Sequence, residues 1–432
     1  MTIAAQASKF DKFTITSADG SKQVDANNGD FKWLSFDYFE NILSPSISGS
    51  TTIVATNNAV ASIGEDRQER YTSLYSGLPL RAGCMIHVKI TTELGDPLEL
   101  DLYILNVEQV SSSTSETIHI KFASKTAVIN EVTKIEKSYK NRISDVAKKI
   151  IKEELKIDSN KMIIDKTSNS TYVVGMRKRP FDLLLMLAQQ SVPMNTKNPA
   201  YFCYETRYGF HYVSADRMIN QDPWSGDYHY NGVNISSFQS DDNSPDNNLK
   251  VAAITVKKDQ NFLDQIRLGM YSSKNIFFNP STLKFTDINI SADLGEDFPS
   301  LEKSSPKVLK EQSNLGKRYH RVQTAVLDPG ADEESKKVNN SPEYYYAAAT
   351  ARYNILFAQE LRATIPCNTA LQAGISINLQ VESLTENKVQ GVDQVRSGKY
   401  IISGLRHHFD SDQSTTSLKL IRSHYGLHLT ES

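Results

Sequence analysis

The chain has 432 residues, 39% of them apolar and 23% charged, with a formal net charge of −2. That length exceeds one ordinary hydrophobic core and predicts two to four domains. The charge balance lacks the basic footprint that nucleic-acid binding needs, although a near-neutral protein suits a channel through which DNA slips without sticking. No apolar run reaches the length of a bilayer span, and Met1 to Gln6 lack the regions of a signal peptide, so export is not expected. Three widely spaced cysteines, Cys84, Cys203 and Cys367, argue for buried thiols in a reducing compartment rather than a disulfide framework.

From Phe10 to Ser124 the pattern is β, clearest at Phe31 to Phe36 and Ile47 to Val54, with breaks at Asn28-Gly29, Ser44-Pro45 and Gly95-Asp96-Pro97. The polar stretch Thr56 to Ser76 is expected to be a long loop or a short charged helix. Ser144 to Leu155 predicts a helix with Ser144 as cap and Asp145 in the first turn. Its apolar face holds Ile143, Val146, Ala147, Ile150, Ile151 and Leu155. A second helix begins at Pro180, runs through Phe181, Leu184, Leu185 and Ala188, and stops at Pro193. A hairpin over Tyr201 to Tyr212, turning at Arg207 to Gly209, completes a small α+β segment.

Ser237 to Asn247 reads as a polar linker. Strands follow at Val251 to Val256, Lys274 to Phe278 and Lys284 to Ile290, and Asp293 to Asn340 as a long polar loop. Ser341-Pro342-Glu343 then opens a helix that carries three tyrosines and three alanines.

Two stretches near opposite ends of the chain look like copies of one unit. Leu80-Arg81-Ala82-Gly83 leads into the strand Cys84 to Ile90, and Leu371-Gln372-Ala373-Gly374 into Ile375 to Val381. Tyr103-Ile104-Leu105 is echoed by Tyr400-Ile401-Ile402, and Thr117 to Ile120 by Ser417 to Leu420. Each copy ends in a polar hairpin turn, Ser111 to Glu116 and Asp410 to Thr415. Three corresponding strands in the same order point to a duplicated β-domain, the raw material of a symmetric ring or tube.

Catalytic chemistry is hard to find. No phosphate-cradling loop or dinucleotide fingerprint occurs. Gly83, Gly374 and Gly398 read as turn glycines. His407 and His408 point to opposite faces of a strand, with Asp410 as the only neighbouring carboxylate in sequence, which is short of the ligands a metal needs. The pairs Glu153-Glu154 and Asp241-Asp242 read as solvated, and no cysteine has a histidine beside it in sequence. No catalytic residue, cofactor or metal is therefore assigned. The 20 tyrosines, partly clustered at Tyr201, Tyr204, Tyr208, Tyr212 and Tyr344 to Tyr346, favour large protein interfaces. They leave a β-rich carbohydrate-binding protein or glycosidase as the competing class.

Four passages resemble the baseplate hub proteins of contractile-tailed phages of the T-even type, in particular their cyanophage-type relatives. These are Phe39 to Ser50, the helix from Pro180 with the hairpin to Ser214, Phe262 to Lys274, and Gly398 to Phe409. The resemblance implies a mainly β fold with an α+β insertion. Two tail-tube-like β-barrel domains would occupy residues 1–125 and 241–428, the latter with a long loop at about 293–340, and the insertion would occupy 126–240. Three chains would then form a pseudo-sixfold ring joining the sixfold tail tube to a threefold central spike, with a lumen for DNA.

The partners so implied are two further copies of the chain, a separate spike protein, and a tail tube or tube-initiator protein. A tape-measure protein and the baseplate wedge are further implied neighbours, in a virion assembled in the host cytoplasm. The second β-unit ends within about ten residues of the last residue, so the spike is expected on its own polypeptide. A hub of a phage-like secretion or killing particle fits the same residues.

Overall fold

The computed structural model describes residues 8–56, 60–63, 69–92, 94–112, 114–196, 198–230, 247–258, 267–268, 272–280, 282–291, 321–326, 342–382, 392–393 and 396–422. The architecture is mainly β, with an α+β insertion, as expected. The polar linker up to residue 246, Asp241 and Asp242 with it, and residues 262–266 and 269–271 of the Phe262 to Lys274 passage lie outside the described residues.

In the first β-region, β1 (Lys9–Thr16), β2 (Gln23–Asp25), β3 (Lys32–Asn41) and β4 (Ser48–Thr56) precede a hairpin of β5 (Val60–Ile63) with β6 (Glu69–Thr72). That hairpin corrects the expectation of a loop or charged helix over Thr56 to Ser76; among the described residues of the stretch, helix appears only as the single turn α1 (Leu74–Gly77). Then come β7 (Met85–Thr91), β8 (Leu98–Ser111) and β9 (Ser115–Ser124).

The insertion follows, with α2 (Lys125–Val132), β10 (Ser138–Arg142), α3 (Ile143–Glu153), β11 (Met162–Ile164), β12 (Ser170–Val174), α4 (Pro180–Gln190), β13 (Tyr201–Thr206), β14 (Gly209–Ser214) and α5 (Ala215–Asn220). The expected apolar face of α3 is buried along its length. Its cap is not Ser144, which lies buried inside the first turn; the Ser144 N–H donates instead to Thr167 Oγ1 at 3.0 Å. A hydroxyl from a distant loop thus does the work of a local cap.

The second β-region comprises β15 (Asp227–Tyr230), β16 (Ala253–Lys258), β17 (Ser272–Asn279), β18 (Lys284–Ser291), β19 (Arg321–Val326), α6 (Pro342–Leu356), β20 (Gln359–Pro366), β21 (Ser376–Val381), β22 (Gly398–Asp410) and β23 (Ser414–Arg422). Strand β19 falls inside the stretch 293–340 expected to be a loop. It pairs in parallel with β17, and its alternating exposure marks a strand with one covered face.

Both β-regions share one sheet, ordered β16-β20-β23-β22-β3-β4-β9-β8-β7-β1-β2, with β21 on β22 and β15 on β21. The join is antiparallel, β22 against β3, from Gly404 opposite Asn41 to Asp410 opposite Ser35. Rings from the two regions meet beneath it: Phe36 of β3 lies 6.2 Å from Phe409 of β22, and both are fully buried. Each buried phenyl contributes about 1.5–3 kcal/mol, so the join is held by packing as well as by its ladder.

The duplication is visible in backbone detail. The Gly83 N–H donates to the Ile104 carbonyl at 2.9 Å, and the Gly374 N–H to the Ile402 carbonyl at 2.8 Å. Each acceptor residue returns an N–H bond, to Cys84 and to Ile375. Both long strands then carry a bulge at the next position, between Ile104 and Asn106 and between Ile402 and Gly404. Both hairpins close alike, Ser112 N–H to the Ser115 carbonyl and Asp410 N–H to the Gln413 carbonyl. On the far side, β4 pairs with β9 and β3 with β4, as β20 pairs with β23 and β16 with β20.

These bonds correct the sequence alignment of the copies. Ile104 corresponds to Ile402, not Ile401, and Ile120 to Leu418, not Leu420. Alternation in sequence tolerates such slips, whereas the ladder and its bulge admit one register.

Candidate functional site: the junction of the two β-units and the insertion

The seam between the β-units is closed at one end by the tip of the β13–β14 hairpin. At its centre is Glu40, which alternation along β3 places on the same buried face as Phe36 and Tyr38. Its carboxylate accepts from the Tyr38 hydroxyl at 2.6 Å, from the Arg207 N–H at 2.8 Å and from the Ala373 N–H at 2.8 Å. One side chain of the first unit therefore holds the insertion and the second unit together.

Arg207 extends the grip. Its guanidinium donates to the carbonyls of Asp96 and Pro97 in the first unit and of Thr369 in the second, at 2.9–3.1 Å. Beside it, the Thr206 hydroxyl donates to Gln372 Oε1 at 2.9 Å, and so accepts from Nε2–H of His211, also at 2.9 Å. The His211 ring stacks on Tyr204 at 4.6 Å. On the opposite side Glu205 accepts from Ser124, Thr126 and the Ile47 N–H. An apolar cluster of Ile42, Phe202, Tyr204, Ala373, Ile401 and Ile421 packs under the tip, again drawn from all three segments.

Burial governs the protonation of these groups. It pushes the Glu40 carboxyl up to about 7 against the pull of its three donors, and raises Glu205 in the same way. It lowers His211 to about 4, helped by Arg217, and His407 to about 3. Both imidazoles are accordingly neutral at physiological pH.

Gly374 sits against the tip with φ +89°, where an added Cβ would overlap the Tyr204 hydroxyl. Gly83, its equivalent, has φ +94° but only Ala18 nearby, at 3.7 Å, and Gly398 has φ +127°. Gly374→Ala is therefore expected to cost roughly 3 kcal/mol, and Gly83→Ala roughly 1–2 kcal/mol for backbone strain alone. Urea midpoints of the two variants check the ranking; equal losses would remove the steric argument.

The other sequence candidates resolve separately. His407 is buried, bonded to Thr416 and stacked on Tyr38 at 5.9 Å, while His408 faces the other way. Its nearest carboxylate is Asp37 of β3 at 2.7 Å rather than Asp410 at 3.6 Å, and Asp37 also takes Arg406 at 2.8 Å. Cys367 does have a histidine nearby, His407 at 3.9 Å, yet burial pushes its thiol up to about 12, far from a reactive thiolate. Glu153 and Glu154 both pair with Lys137. Tyr201, Tyr204 and Tyr212 are core residues of the insertion, and only Tyr208 of that group is exposed. Among the described residues no three metal-ligating side chains converge, and no helix is long and apolar enough to cross a membrane.

Comparison with solved structures places this arrangement. Over nearly its full length the chain is similar to the 43 kDa tail protein of prophage MuSo2 from Shewanella oneidensis, with a TM-score of 0.52, 11% identity, and coverage of 96% of this chain and 98% of that one. It is similar to the tail protein from Neisseria meningitidis MC58, with a TM-score of 0.53, 11% identity, and coverage of 95% and 96%. The fold is that of phage tail proteins. No protein-family model and no curated protein matches the sequence. At this identity the shared element is the path of the chain and not particular side chains.

Proposed function

We propose that the chain is the structural hub of a contractile-tail baseplate, a homotrimer whose six β-units form a ring between a sixfold tail tube and a threefold central spike. The observation that supports this most directly is the duplicated unit, whose copies share turn, bulge and hairpin register and sit side by side in one sheet. A chain that carries two similar modules supplies six to a threefold assembly. Residues 1–125 and 241–428, joined by β15 on β21, would be the ring-forming domains and the rest of 126–240 the decoration. In this reading the role is geometric rather than catalytic, and the near-neutral charge keeps the lumen from holding DNA. The partners would be a separate spike and a tail tube or tube-initiator protein, with the tape-measure protein and baseplate wedge beyond them.

Molar mass by light scattering, with imaging of the same fraction, tests the proposal. The expected result is three chain masses and a ring with a central hole. A monomer that forms no ring even with tube and spike partners, and instead binds glycans, would overturn it in favour of a carbohydrate-binding protein.

A further inference from the structure

The join within one chain specifies a join between chains. Strand β22 of the second unit pairs along its distal half, Gly404 to Asp410, with β3 of the first unit. Its counterpart in the first unit is β8, whose distal half, Asn106 to Ser111, pairs with β9 on one side and, among the described residues, with nothing on the other. The counterpart of β3 is β16, the terminal strand of the sheet. One unit's edge is therefore filled by the other unit, while among the described residues two matching edges stay open.

Exposure follows the same division. In β22 the residues Leu405, His407 and Phe409 are buried beneath β3. Their equivalents in β8 are exposed or half-buried, and Val110 is 65% exposed; on β16, Val256 is 39% exposed. Charge agrees as well: transferring the β22–β3 register to the open edges sets exposed, acidic Glu108 opposite the β16 bulge, where the chain runs Lys257-Lys258. Among the described residues Glu108 makes two exposed contacts, with Lys121 at 3.4 Å and with Asn106 Nδ2 at 3.2 Å.

We infer that the distal half of β8 pairs antiparallel with β16 of a second copy of this chain, with Ser111 opposite Ile254, Val110 opposite Thr255, Gln109 opposite Val256 and Glu108 opposite the bulge at Lys257 and Lys258. The contact is head-to-tail, so it propagates from copy to copy until the ring closes. This rests on the trimer proposed above and adds its contact strands and register.

Cysteine pairs test it, because directly opposed residues on antiparallel strands lie within disulfide reach. The native thiols are buried and do not compete. Val110→Cys with Thr255→Cys is expected to give covalent dimers and trimers on mild oxidation, and each single variant none. Val110→Cys with Lys257→Cys, out of register, is expected to cross-link several-fold less. Glu108→Lys is expected to weaken assembly severalfold, and adding Lys257→Glu with Lys258→Glu to restore it. A trimer by light scattering that yields no in-register cross-link overturns the strand pairing and leaves the trimer standing. Equal cross-linking out of register overturns the register. A chain that stays monomeric overturns the trimer and the pairing with it.

Discussion

Glu40→Ala should destabilise the fold by about 3–5 kcal/mol, because it leaves two backbone N–H groups and a tyrosine hydroxyl buried without an acceptor. The loss should be felt by both β-units and the insertion together, since the donors come from two elements outside β3. Glu40→Gln keeps one acceptor and separates charge from hydrogen bonding. The Glu40 carboxyl titrates at about 7 when folded and at 4.5 when exposed. Between these values the folded chain holds a proton that the unfolded chain has released, so its stability falls as pH rises, by up to about 3 kcal/mol, and levels off above about 7. Glu205 adds a slope of the same sign, whereas His211 and His407 cost stability as pH falls below 6.5. Those contributions cancel when wild type is compared with Glu40→Gln. The variant should therefore gain on the wild type between pH 5 and pH 8 in urea unfolding, and a constant difference across that range would refute the assignment.

The second large effect is expected at the ion pair of Arg352 on α6 with Asp216 on α5. Both side chains are nearly inaccessible to solvent, and Arg352 also donates to the Asn198 carbonyl at 3.1 Å. Burial lowers the guanidinium only to about 10, so it remains charged at neutral pH. Removing either partner strands a buried charge, and Arg352→Ala or Asp216→Ala should each cost about 3–5 kcal/mol. Arg352→Met combined with Asp216→Ala removes both charges and should cost much less than the single losses summed. Additive losses in a double-mutant cycle, measured by thermal or urea unfolding, would show that the two groups are not coupled.

Much of this architecture is legible in residue order. Alternation, turn residues and the Pro180 helix start locate most strands and helices, and the repeated glycine turns disclose the two units. The register between the copies is not legible, because a bulge changes the backbone count without changing the apolar pattern around Leu105 and Ser403. The cap of α3 is hidden for a related reason: Thr167 lies in a separate loop. Glu40 did leave a sign, a carboxylate on the aromatic face of β3 after Phe36 and Tyr38. Its partners at Arg207 and Ala373 donate backbone N–H groups, which carry no side-chain signature. The strand β19 was hidden by its setting, a short alternating segment within a long polar stretch.

The pairing of β22 with β3 also bears on how the protein is made. Its contacting residues Arg406 and Asp37 are 369 positions apart. During synthesis the first unit emerges with the β3 edge bare, its ladder groups unpaired, until the strand that covers it has been translated. Contacts of such long range make folding slow and leave a sticky intermediate on the ribosome. Truncations before β22 should therefore aggregate, and slower or cooler expression should raise the yield of the full chain.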